Sequence, residues 1–253
     1  MQVPRIVILT MIAALGLHPG AALAQDKPKE KTIGVFVALA DPKHTGIEPL
    51  PPSIGDGDNA ETNLYWGNDE GLKGTFDHSK KWKLVDKNET PQAEVVMSTR
   101  TYRRVRADGA SILLVARAYR GSQMRRCIED YEGAIAHGSY DLVVFIGHDG
   151  LMDFQLPSPE KAAGQARTPD CIALCCVSET YFKDRIIAAG GRPVLLTTQL
   201  MYPGSFTLEA LADTWASGGT PATIRESAAT AYARNQKISK KAALGVFADL
   251  KSE

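Results

Sequence analysis

The chain has no excess charge of either sign: 29 Lys and Arg stand against 29 Asp and Glu in 253 residues. That balance argues against a nucleic-acid binder, which normally carries a basic stripe. There is no internal repeat and no low-complexity tract, so solenoid and linker-like architectures are excluded. No His-x-x-x-His or comparable ligand spacing occurs among His44, His78, His148, Asp149 and Asp153, so no metal site and no cofactor is expected. The Gly-x-Ser-x-Gly elbow of serine hydrolases is also missing. The one long apolar stretch, Ile6 to Leu17, is too short to span a bilayer comfortably.

That stretch reads instead as the core of a secretory signal peptide over residues 1–24. Arg5 gives the positive start, His18-Pro19-Gly20 the break, and Ala22-Leu23-Ala24 a small-residue cleavage site. No cysteine follows to take a lipid. The expected product begins near Gln25 and is periplasmic or secreted, with no membrane span after cleavage. Removing the leader takes away Arg5 and no acid, which leaves a net charge of −1 on 229 residues. That length fits a single domain, 25–253, with a helical C-terminal part.

Along this region strand and helix patterns alternate. Thr32 to Ala40 is an apolar run of strand length, stopped by Asp41-Pro42. Lys43 to Asn59 reads as a long irregular loop, and Glu61 to Phe76 as an imperfect amphipathic helix. Glu94 to Val105 and Ala110 to Tyr119 flank Asp108-Gly109 and predict a hairpin, with Arg100, Arg103, Arg104 and Arg106 on a solvated face. A helix is expected from Ser122 to His137, strands at 141–147, 172–176 and 193–198, and a helix from Ser178 that ends at Gly190-Gly191. Helices at 207–217, 221–235 and 239–251 close the chain. The sum is an α/β fold, a three-layer αβα sandwich with a mainly parallel central sheet.

Two of these apolar runs end on residues that can do chemistry. Asp141 to Gly147 delivers His148, and Ile172 to Cys175 delivers Cys176. Carboxyl ends of neighbouring strands in an open α/β sheet line one crevice, so the imidazole and the thiol can meet there. Asp41, at the end of the first strand, is a candidate for recognising a basic side chain or else a cap for its loop. Thr198 and Gln199, at a corresponding strand end, are candidates for contact with a peptide backbone. The loop Leu156 to Asp170 can cover the cleft or carry a processing site. Cys127, Cys171, Cys175 and Cys176 invite disulfides in an oxidising compartment, with the connectivity open. Cys175 and Cys176 should point to opposite faces.

A hydrophobic strand ending in His, then one ending in a Cys motif, then a helix and a further strand, resembles the caspase, legumain and gingipain group of cysteine peptidases. The matching positions are Gly147-His148-Asp149-Gly150 and Leu174-Cys175-Cys176-Val177-Ser178. Asp149 stands where that family has Gly, and Cys175 where it commonly has Ala. The resemblance implies a caspase-like fold, acyl transfer by Cys176 with His148 as base, and an oxyanion hole from the backbone N–H groups of Asp149 and Cys176. It places the Asp149 carboxylate close to the developing oxyanion. The implied partner is a peptide or protein substrate. A catalytically silent caspase-like domain that binds a peptide or an envelope protein is the alternative.

Overall fold

The computed structural model describes residues 30–47 and 49–250. The expected signal peptide lies outside them. Seven strands form one mixed sheet in the order β2-β3-β4-β1-β5-β6-β7. They are β1 (Lys31–Ala38), β2 (Lys83–Glu89), β3 (Val96–Val105), β4 (Ser111–Tyr119), β5 (Leu142–Ile146), β6 (Asp170–Leu174) and β7 (Arg192–Leu195). Strands β4, β1, β5, β6 and β7 run parallel, whereas β2 and β3 are antiparallel additions at one side. The chain leaves β1 for β4 on one side and then places β5 on the other. In open α/β sheets such a reversal marks the rim where carboxyl ends of strands can form a crevice.

The helices are α1 (Pro52–Gly55), α2 (Leu72–His78), α3 (Met124–His137), α4 (Ser178–Ala188), α5 (Phe206–Ala216), α6 (Pro221–Gln236) and α7 (Lys240–Leu244). Alternation along the strands sorts the core into two layers. Leu142, Val144, Ile146, Ile172 and Leu174 pack with Leu72 and Phe76 of α2, Leu211 and Trp215 of α5 and Ala228 of α6. Val143, Phe145, Cys171, Ala173 and Cys175 pack under Ile128 and Tyr131 of α3 and Phe182 and Ile186 of α4. The molecule is therefore an α/β sandwich with helices on both faces of a mostly parallel sheet.

Four expectations change. Residues 61–71 form turns, and only Leu72–His78 is helical. Asn63 organises those turns: its side chain accepts from the N–H groups of Ala40 and Tyr65 and donates to the carbonyls of Ala40 and Asp56. A further strand, β2, is exposed along its whole length and pairs with β3. The arginines of the hairpin are only in part a solvated face: Arg103 is exposed, but Arg100 is buried between Asp77 and Glu89, and Arg104 pairs with Asp213. Finally, α7 stops at Leu244, and the following residues run as a strand-like cover along the end of β7. Ala248 N donates to Leu196 O and Thr198 N to Val246 O, both at 2.9 Å.

Candidate functional site

β5 and β6 pair in parallel with Ile146 opposite Leu174, and the ladder's last bond runs from Gly147 N to Leu174 O at 3.3 Å. Two residues further on each strand come His148 and Cys176. The two strands therefore end level, and His148 and Cys176 leave the sheet at the same rim. Gly147 brings the chain close to β1; a Cβ there would sit 3.0 Å from Ala38 O.

The His148 ring is mostly buried, and its Nε2 pairs with Asp153 Oδ2 at 2.8 Å. Asp153 Oδ2 also accepts from Gly46 N at 2.8 Å, which ties it to the loop after β1. Asp153 thus fixes the ring and leaves Nδ1 without a hydrogen-bond partner among the described residues. A base oriented by a third group is the arrangement that nucleophilic sites require.

Cys176 is half-buried, and its thiol donates to Met201 O at 3.7 Å. No hydrogen bond joins Cys176 to His148 among the described residues. The turn that carries the thiol is tightly held. Val177 adopts φ 51°, ψ 30°, a left-handed conformation in which a β-branched residue is strained. Ser178 Oγ donates to Ala173 O at 2.8 Å and accepts from Thr197 N at 2.9 Å, and Thr197 Oγ1 donates to Cys175 O. The N–H groups of Val177, Ser178 and Glu179 are all taken by Gln199 O, Thr197 Oγ1 and Thr197 O. The helix start is therefore fastened to the end of β7. By contrast, the N–H groups of Asp149 and Cys176 donate to no acceptor among the described residues.

Asp149 does not crowd that opening with its carboxylate. Its side chain is fully buried and adds to the rise of the Cys175 thiol, itself pushed up first by burial. Oδ1 accepts from Leu151 N at 3.0 Å and caps the turn 150–152, whereas Oδ2 is buried with no partner. Burial, with nearby Asp153 adding to it, pushes the Asp149 carboxyl up to about 7 against the help of the Leu151 and Met152 N–H groups.

The other predicted contacts separate. Asp41 is 2% exposed. Its Oδ1 accepts from Lys43 N at 3.1 Å and its Oδ2 pairs with His44 Nδ1 at 2.7 Å, so it caps its own loop and offers no free oxygen to a substrate. The hydroxyl of Thr198 donates to Gly245 O at 2.8 Å and fastens the C-terminal segment. Gln199 is exposed beside the Cys176 turn, its carbonyl bound to Val177 N at 3.1 Å and its side chain without a partner among the described residues. The loop after β5 does not lie over the rim: Arg185 donates to Leu156 O and Pro157 O, and Gln165 to Ile135 O, which holds it against α3 and α4. All four cysteines are free thiols; Cys127, Cys171 and Cys175 share the same sealed layer, and burial raises each of them.

Among the described residues, no group of three or more His, Cys, Asp or Glu is placed to hold a metal ion. Nor is any helix there long and apolar enough to cross a membrane. No protein-family model matches the chain, and neither does any curated protein or solved structure compared with it.

Proposed function

We propose that this chain is an exported cysteine peptidase, or a related amidase or transpeptidase, with a caspase-like fold. The observation that carries this reading is the register of β5 and β6, which ends the two strands level just before His148 and Cys176. Three features support it: the Asp153 clamp on His148, the strained turn after Cys176, and two free backbone N–H groups at Asp149 and Cys176.

In the reaction, Nδ1 of His148 takes the thiol proton and the sulfur bonds to the carbonyl carbon of a peptide amide. Negative charge builds on the carbonyl oxygen between the N–H groups of Asp149 and Cys176. As the C–N bond breaks, His148 returns the proton to the leaving amine. A water, deprotonated by His148, then cleaves the thioester; an amine in its place gives transpeptidation. The thiol's contact with Met201 O is exchanged for one with His148 when substrate enters. Gln199 is positioned to bind the peptide backbone at the rim.

A thiol-directed activity probe tests this. Labelling should vanish in Cys176→Ala and fall by about 10²-fold or more in His148→Ala. Labelling indifferent to His148 refutes the enzyme and favours the second reading, a silent domain that binds a peptide or envelope protein. That reading is favoured by the Cys176 thiol donating to Met201 O and not to the imidazole. Export is tested by the N-terminal sequence of the protein recovered outside the cytoplasm, expected to begin at Gln25.

A further inference from the structure

On the α3 side of the sheet, a cleft of about 310 Å³ opens where β1 and β4 emerge beside the helix, among residues that take no part in the site above. Volumes of this size suit small organic ligands. Its floor is Phe36 of β1 and Arg117 of β4, which are register partners. Arg117 is half-buried, and no carboxylate pairs with it among the described residues. Its Nη2 donates to the Tyr140 hydroxyl at 2.9 Å, whereas Nη1 is buried with no acceptor. The guanidinium carbon stands 5.5 Å from the Phe36 ring centre and 5.9 Å from that of Tyr140. The Tyr140 ring reaches this place because Gly34 has no side chain; a Cβ there would fall 2.4 Å from the ring.

A partly desolvated cation without a counter-charge is unfavourable unless something supplies one. Asp130, also in the cleft, is already engaged by the Tyr119 hydroxyl at 2.8 Å and by Arg126 at 2.9 Å. The wall between them is Gly133, in the middle of α3, where Gly costs about 1 kcal/mol against Ala. No atom lies within 4 Å of the place its Cβ would take, so packing in the protein does not demand Gly there. At the mouth, the Ser139 hydroxyl has no hydrogen-bond partner among the described residues, and His137 uses only Nδ1, on Gly133 O at 2.7 Å. An unpaired guanidinium beside two aromatic rings, a bare helix wall and a free hydroxyl form a receptor for a flat anion.

We propose that this cleft binds the carboxylate of a small, flat, largely apolar organic acid, with the charge on Arg117 and the body against Phe36 and Gly133. The nearby Asp130 disfavours a doubly charged phosphate.

Calorimetric titration of the full chain with benzoate tests the proposal, with benzamide and phenyl phosphate as comparators. Benzoate should bind saturably with a Kd on the order of 1 mM, and benzamide about tenfold or more weaker. Arg117→Met should weaken benzoate by about tenfold or more. Gly133→Leu should fill the cleft and abolish binding while raising the thermal midpoint through better helix propensity, which separates loss of binding from loss of fold. No saturable benzoate binding at on the order of 10 mM, equal binding of benzamide, or unchanged binding in folded Gly133→Leu would each overturn the site. Tighter binding of phenyl phosphate than of benzoate would overturn the assignment to a carboxylate.

Discussion

Replacing Asp149 by Asn should change how stability depends on pH more than any other single substitution at the rim. Asp149 is completely buried with one oxygen unpartnered, and its carboxyl sits at about 7 against an ordinary 3.8. Because the folded state holds this proton more tightly than the unfolded chain, stability is full below pH 3.8 and falls as pH rises through about 7. Each pH unit in that window costs about 1.4 kcal/mol, so the span from 3.8 to about 7 costs about 4 kcal/mol. Asn keeps an oxygen to cap Leu151 N and has no charge to lose, but it leaves a buried amide N–H₂ unpaired, at about 1–3 kcal/mol. Protonated Asp149 leaves its own Oδ2 hydroxyl unpaired as well, so the variant should lie within about 1–3 kcal/mol of the wild type near pH 4 and be clearly more stable at pH 8. Urea midpoints from pH 4 to 8 measure this, read by the fluorescence of Trp66, Trp82 and Trp215, all of which are buried. Parallel curves for the two proteins would refute the argument, since they would mean that Asp149 ionises normally inside the fold.

Other changes bear on the site and its supports. Asp153→Ala should lower kcat by about 10²-fold or more while KM changes little, because it frees the His148 ring and touches no substrate; a loss confined to KM would count against the role. Val177→Gly should raise the unfolding free energy by about 1 kcal/mol by removing left-handed strain, as checked by denaturant midpoints. Glu132→Ala should cost about 3–5 kcal/mol, since Arg185 grips both its oxygens at 2.6 and 2.9 Å in a mostly buried pair, and its loss should speed proteolysis of the 154–169 loop that Arg185 also holds.

How much of this was legible in the sequence depends on where each element gets its stability. β5 and β6 are buried on both faces, so their continuous apolar runs announce them, and with them the two residues at their ends. β2 reads Lys-Leu-Val-Asp-Lys-Asn-Glu and is a strand only because β3 pairs with it; such a strand has no apolar period to detect. The segment 61–71 has helix-like spacing, but Asn63 substitutes for backbone partners, and Gly67 lies where a Cβ would strike Glu61 O at 1.9 Å. After Leu244 the sequence shows no proline to stop the helix, yet Gly245, Val246 and Phe247 are weak helix formers and pairing with Leu196 and Thr198 ends it. Asp153 was visible as a residue but not as a partner of His148, because five positions separate them and only the short turn capped by Asp149 folds one back on the other. The alternation of Cys175 and Cys176 was legible; the burial of Asp149 was not, since it lies past the strand's last hydrogen bond, where alternation no longer dictates facing.

The three sealed thiols have a consequence for biogenesis. Cys127, Cys171 and Cys175 are reduced because the finished molecule hides them, and that shelter does not exist while the chain is still unfolded. A polypeptide crossing into an oxidising compartment would present all of them to its oxidases at once. If the proposed export holds, collapse of α3 onto β6 has to outrun thiol exchange; in refolding, yield should improve when oxidant is withheld until the native layer has closed.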